Sequence, residues 1–112
     1  MLVPALILFV VAAILGLTVA VQIFKKKPTA KGVALAHGAF AAAGLITLVL
    51  YAAKNPNHLL WVAVVILVVA ALGGLILFIN DIRGKTGPAG LVVVHALAAV
   101  AAVVIVLVVA IR

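Results

Sequence analysis

His37 and His95 are the residues of this chain best suited to chemistry. Each sits inside an apolar run, KGVALAHGAF over 31–40 and AGLVVVHALA over 89–98. A neutral imidazole carries one N–H donor and one lone pair, so two of them can ligate a metal, relay a proton or bond across helices. Other routes close quickly. The chain has no cysteine, which removes disulfides, iron–sulfur clusters and thiolate nucleophiles. Its single acid, Asp81, rules out paired-carboxylate catalysis and carboxylate-rich metal cages. Two imidazoles fill only half of a tetrahedral zinc shell, and no third ligand is near them in sequence.

The elements that must hold these histidines follow from composition. The chain has 112 residues, of which 71% are hydrophobic and 8% charged. A water-soluble domain of this size leaves too much surface in solvent to hide so much apolar area. Four runs, 2–24, 33–53, 59–79 and 91–111, are each close to the roughly 20 residues that span a bilayer. The expectation is an all-α integral membrane protein, a four-helix up-down bundle with the lipid bilayer as its solvent. The first run lacks the basic n-region and small-x-small cleavage site of a signal peptide, so it reads as a retained helix.

The net charge of +7 is concentrated at the ends of these runs, which reads as topology and headgroup contact rather than nucleic-acid binding. The loop over 25–31 holds four lysines and the loop over 80–88 holds Arg83 and Lys85, whereas the middle loop holds Lys54 alone. The positive-inside rule places loops 25–31 and 80–88 in the cytoplasm and both termini outside the cell membrane, with Tyr51 and Trp61 at the outer interface.

At an offset of 58, residues 1–54 overlay 59–112 without a gap. The uncommon residues match: Gly16 with Gly74, Gln22 with Asn80, Lys25 with Arg83, Lys27 with Lys85, Gly32 with Gly90, His37 with His95 and Lys54 with Arg112. This is a tandem duplication of a two-span hairpin, forming a single membrane domain over 1–112. Parallel repeats of this kind are related by a pseudo-two-fold axis along the membrane normal. His37 and His95 are then level, on opposite sides of that axis.

Depth follows from helical rise. Thr29 and Thr86 are expected as N-caps of the second and fourth helices. His37 is then eight residues, about 12 Å, inside the membrane, and Gly16 is as far from Phe24. Gly16 and Gly74 should therefore share the histidine layer. Small residues crowd it: Ala12, Gly16 and Ala20 in the first helix, Ala70 and Gly74 in the third, and Ala41 and Gly44 on the face of His37.

Two facing imidazoles in such a layer can be the axial ligands of a b-type haem iron. Gly16, Gly74 and Gly44 would leave room for a flat macrocycle, and Lys27, Lys31, Arg83 and Lys85 would meet its propionates. The ligating nitrogens must then lie about 4 Å apart. The pattern resembles the membrane b-type cytochromes, whose four-helix cores hold haem between transmembrane histidines, with helix glycines close to the ring. The resemblance spans all four helices and rests on His37, His95, Gly16 and Gly74. It implies one-electron transfer, with quinol or as a small subunit of a larger redox complex, rather than a stand-alone enzyme. Many such proteins carry two histidine pairs; this chain has one, so a complete trans-membrane electron path within one copy is not implied.

The alternative is a cofactor-free accessory or assembly protein, in which small-residue ladders and histidines only join helices. Monomer and homo-oligomer both remain open. Four spans in so short a chain also resemble the small multidrug exporters, but their intramembrane glutamate has no counterpart in 2–24. His58, in the middle loop, is expected to be solvated, Asp81 to pair with Arg83 or Lys85, and Gln22 and Asn80 to meet headgroups or backbone.

Overall fold

The computed structural model describes residues 2–85 and 87–112, so the cap expected at Thr86 lies outside the described residues. The chain is all helical: α1 Val3–Phe24, α2 Lys31–Lys54, α3 His58–Ile82 and α4 Ala89–Ile111. Each helix is long and apolar enough to cross a membrane, with an 18-residue stretch of mean hydropathy 2.1 or more. Backbone hydrogen bonds closed within each segment are what hydrocarbon demands, because lipid offers no partners to a bare N–H or carbonyl. The bundle measures 42 × 21 × 19 Å. Leucines, isoleucines and valines such as Leu17, Leu35, Val65 and Leu97 point outward, more than three-fifths exposed, as lipid-facing side chains should.

Connections are short and locally determined. Asn57 caps α3, its side-chain oxygen accepting the Leu59 N–H at 3.0 Å. The α1 and α3 ends share one device: the chain turns through a left-handed residue, Lys26 (φ +54°) after α1 and Gly84 (φ +78°) after α3. Lys27 N–H then reaches the Gln22 carbonyl and Lys26 N–H that of Ile23, with the same pair of bonds from Lys85 to Asn80 and Gly84 to Asp81. These are two copies of a Schellman stop. Helix bounds at this end therefore coincide at the offset of 58, Phe24 with Ile82 and Lys31 with Ala89.

Three expected boundaries shift by two residues or more. Helices α2 and α4 each begin two residues before their apolar runs, and α3 continues past Ile79 to take in Asp81. The N-cap of α2 is Ala30, not Thr29, and no side chain caps it. Gln22 substitutes, its Oε1 accepting the Ala30 N–H at 2.9 Å. Its counterpart Asn80 donates to the Gly87 carbonyl at 3.2 Å, so both residues meet backbone.

Within each hairpin the helices pack closely; between hairpins the contact is thinner. The buried apolar cluster that joins the hairpins lies at the end of the bundle holding the middle loop and the termini. It obeys the repeat, with Leu2 and Leu60, Ala5 and Ala63, Phe9 and Leu67, and Leu48 and Val106 all buried. One substitution within it is compensated. The Phe9 ring lies on Gly44, where a Cβ would stand 2.7 Å from Phe9 Cε1. The equivalent positions in the second hairpin hold Leu67 and Ala102, a smaller side chain and a larger one. Close-packed interiors tolerate volume only when it is exchanged in this way. Gly44→Ala should therefore destabilise the bundle by about 1–3 kcal/mol, and adding Phe9→Leu should recover most of that loss. Unfolding of the single and double variants in detergent measures the coupling; additive losses would contradict the pairing.

Candidate functional site

His37 rises from the second turn of α2 and His95 from the second turn of α4, and both are half-buried. Each imidazole crosses to the preceding helix of its own hairpin. His37 Nδ1 lies 2.6 Å from the Ala12 carbonyl oxygen, and His95 Nδ1 lies 2.7 Å from that of Ala70. A carbonyl only accepts, so each Nδ1 carries the proton and donates it. In an α-helix that carbonyl already accepts the N–H four residues on, which belongs to Gly16 or Gly74, and its second lone pair takes the imidazole.

Glycine makes the approach possible. A Cβ at Gly16 would stand 2.8 Å from His37 Cε1, and one at Gly74 would stand 2.8 Å from His95 Cε1. Any side chain there would push the ring off the backbone. Histidine, glycine and a carbonyl one turn away thus form a unit that the chain builds twice.

The two units meet. The imidazole centroids are 6.1 Å apart and their planes are inclined at 81°. With Nδ1 protonated, the lone pair of each ring is on Nε2. Each ring could thus offer one nitrogen lone pair to a group bound in this layer. The bond from Nδ1 to a carbonyl is also the usual outer support of a metal-ligating histidine, fixing its tautomer and orientation. No group of three or more histidine, cysteine or acidic residues that could hold a metal ion occurs among the described residues. The protein side chains of this layer therefore offer a metal two nitrogens, one from each imidazole.

The other residues singled out in the sequence are dispersed. Gly44 is buried beneath Phe9, in the packed half of the bundle. Lys85 is exposed, as are Lys27 and Arg83. Lys31 is committed to an ion pair, its Nζ 2.8 Å from Asp81 Oδ2 and 2.9 Å from Thr29 Oγ1. Asp81 therefore does not pair with Arg83 or Lys85. It is only 6% exposed, and it also accepts the Thr29 hydroxyl. Three turns of helix separate Asp81 from Ala70, so it shares the inward face that carries Gly74. That phase is the sequence signal for its burial. At the C-terminal end of α3 a carboxylate opposes the helix dipole, but it lies beside the amino end of α2, which favours it. His58 is exposed as expected, but it stands at the first position of α3 rather than in the middle loop.

No protein family matches the chain, and neither a curated protein nor a solved structure matches it.

Gly16→Ala and Gly74→Ala should each displace one imidazole and destabilise the bundle by about 1–3 kcal/mol, read from the unfolding midpoint in detergent. Nitrogen-15 NMR of the apo protein at neutral pH should show both rings in the Nδ1–H form; an Nε2–H ring would contradict the carbonyl bonds.

Proposed function

We propose that this chain binds one b-type haem between His37 and His95 and serves in one-electron transfer, as a small membrane redox carrier or a subunit of a larger redox complex. The observation that carries the reading is the pair of imidazoles, each with Nδ1 donated to a carbonyl and with ring centres 6.1 Å apart. Their donor chemistry fits the iron of a porphyrin, which brings four nitrogens of its own and needs two more ligands and no carboxylate.

The chain's own residues would act in three ways. The carbonyls of Ala12 and Ala70 hold the imidazoles in one tautomer and make each Nε2 a stronger donor. Glycines at 16 and 74 keep side chains out of the layer, so the helices approach closely and the rings stay fixed. Lys27, Arg83 and Lys85 provide positive charge at the near rim for carboxylate groups. Haem supplies reversible one-electron chemistry at iron, and the apolar helices around it exclude water. By the positive-inside rule, the lysine-rich loops and the histidine layer belong to the cytoplasmic side of the cell membrane, with quinol within reach in the bilayer.

A second reading is favoured by the same bonds. Each imidazole already closes its own hairpin through Nδ1, which suits a cofactor-free accessory protein. One experiment separates the two. Purified protein is examined by optical spectroscopy, oxidised and then dithionite-reduced, beside His37→Ala and His95→Ala. The haem reading expects a Soret band with sharp reduced α and β bands, lost in both variants. A protein that stays colourless after expression with excess haem supports the accessory role.

A further inference from the structure

The duplication makes the two hairpins alike, but it leaves two seams between them, α2 with α3 and α1 with α4. The apolar cluster holds both seams at the middle-loop end. At the opposite end, where the histidines lie, they differ. Asp81 on α3 bonds to Thr29 and Lys31 at the start of α2. At the offset of 58 the equivalent positions on the other seam are Ile23, Gly87 and Ala89, none with a polar side chain.

We propose that the two seams are unequal by construction: Asp81 pins α2 to α3, and the α1–α4 seam is the side that opens, giving a flat lipid-soluble ligand its way to the imidazoles. The inequality of the seams stands on the geometry alone; the ligand rests on the haem reading.

The contact is well placed for this. Asp81 is buried, it is the only acid in the chain, and its Oδ2 receives both a hydroxyl and an ammonium. Among the described residues its Oδ1 has no hydrogen-bond partner, and both groups that meet Oδ2 belong to the start of α2. Hydrogen bonds to a charged group are the strong kind, and one such contact is enough to lower the open population of its seam by about tenfold or more. Among the described residues no side-chain hydrogen bond or ion pair joins α1 to α4, and surrounding lipid replaces apolar contact at little cost.

The absence of native cysteine makes a matched test simple. Spin labels on Gly32→Cys with Arg83→Cys report on the α2–α3 seam. Labels on the equivalent pair, Gly90→Cys with Lys25→Cys, report on α1–α4. Both glycines have open space where a Cβ would go. In apo protein in lipid nanodiscs, the first pair should give a narrow distance distribution and the second one at least about twice as broad. Asp81→Asn, or Lys31→Met from the other side, should broaden the first pair and leave the second unchanged. Equal widths in the unaltered protein, or a first pair indifferent to both substitutions, would overturn the pin.

The access route is tested by copying the pin onto the second seam. Ile23→Asp with Ala89→Lys should narrow the second distribution and slow haemin uptake by about tenfold, while Asp81→Asn keeps uptake within twofold of the unaltered rate. A narrowed seam with unaltered uptake would overturn the route. Failure of unaltered apo protein to take up haemin would overturn the haem reading and the route together, leaving the label distances to decide the pin.

Discussion

A transmembrane helix has little to offer a hydrogen-bonding neighbour, because its own backbone consumes every N–H along its length. What remains is the second lone pair of each carbonyl, normally shielded by side chains. This protein exposes that lone pair twice, by placing glycine one turn beyond Ala12 and Ala70, and fills it with imidazole. The rest of the arrangement depends on that contact. It fixes the register of α1 against α2 and of α3 against α4, sets the depth of both rings, and determines which ring nitrogen carries the proton. Leucine in place of either histidine would still be compatible with a membrane helix, but it would leave the glycine gap empty.

Much of this was legible in the residues themselves. Four apolar runs announce four helices, and a repeat offset that superposes Gly16 on Gly74 and His37 on His95 announces a shared layer. What periodicity could not supply was the destination of each polar group. The sequence suggests that Asp81 turns to its neighbours Arg83 and Lys85, yet α3 runs on past it and carries it to the inner face. Its partners, Thr29 and Lys31, come from the other hairpin, about fifty residues away. Thr29 likewise has the local qualifications for an N-cap, but its hydroxyl goes to the buried Asp81 carboxylate instead. Local propensity yields where a long-range charge is at stake.

Gly44 illustrates a different limit. Small residues look alike in sequence whether they make room for a ligand, a ring on the next helix or another backbone. Gly16 and Gly74 accommodate imidazole, and Gly44 accommodates the Phe9 ring. The second hairpin makes the difference visible, because Leu67 and Ala102 trade the same volume in the opposite sense. A duplicated chain thus carries an internal comparison: glycine at both 16 and 74 meets a histidine in both copies, and where Ala102 replaces Gly44 the side chain equivalent to Phe9 is the smaller Leu67.

The covalent link through the middle loop has a consequence for symmetry itself. Two separate copies of one hairpin, assembled about a two-fold axis, would be obliged to present identical residues at both seams; an aspartate on one would appear on the other. Joining the copies in a single polypeptide lifts that obligation. The chain keeps the two-fold where the two imidazoles meet, and abandons it at the rim, where Asp81 faces Thr29 and Lys31 on one side while Ile23 takes its place on the other. Fusion here gives a molecule a left and a right that a homodimer cannot have.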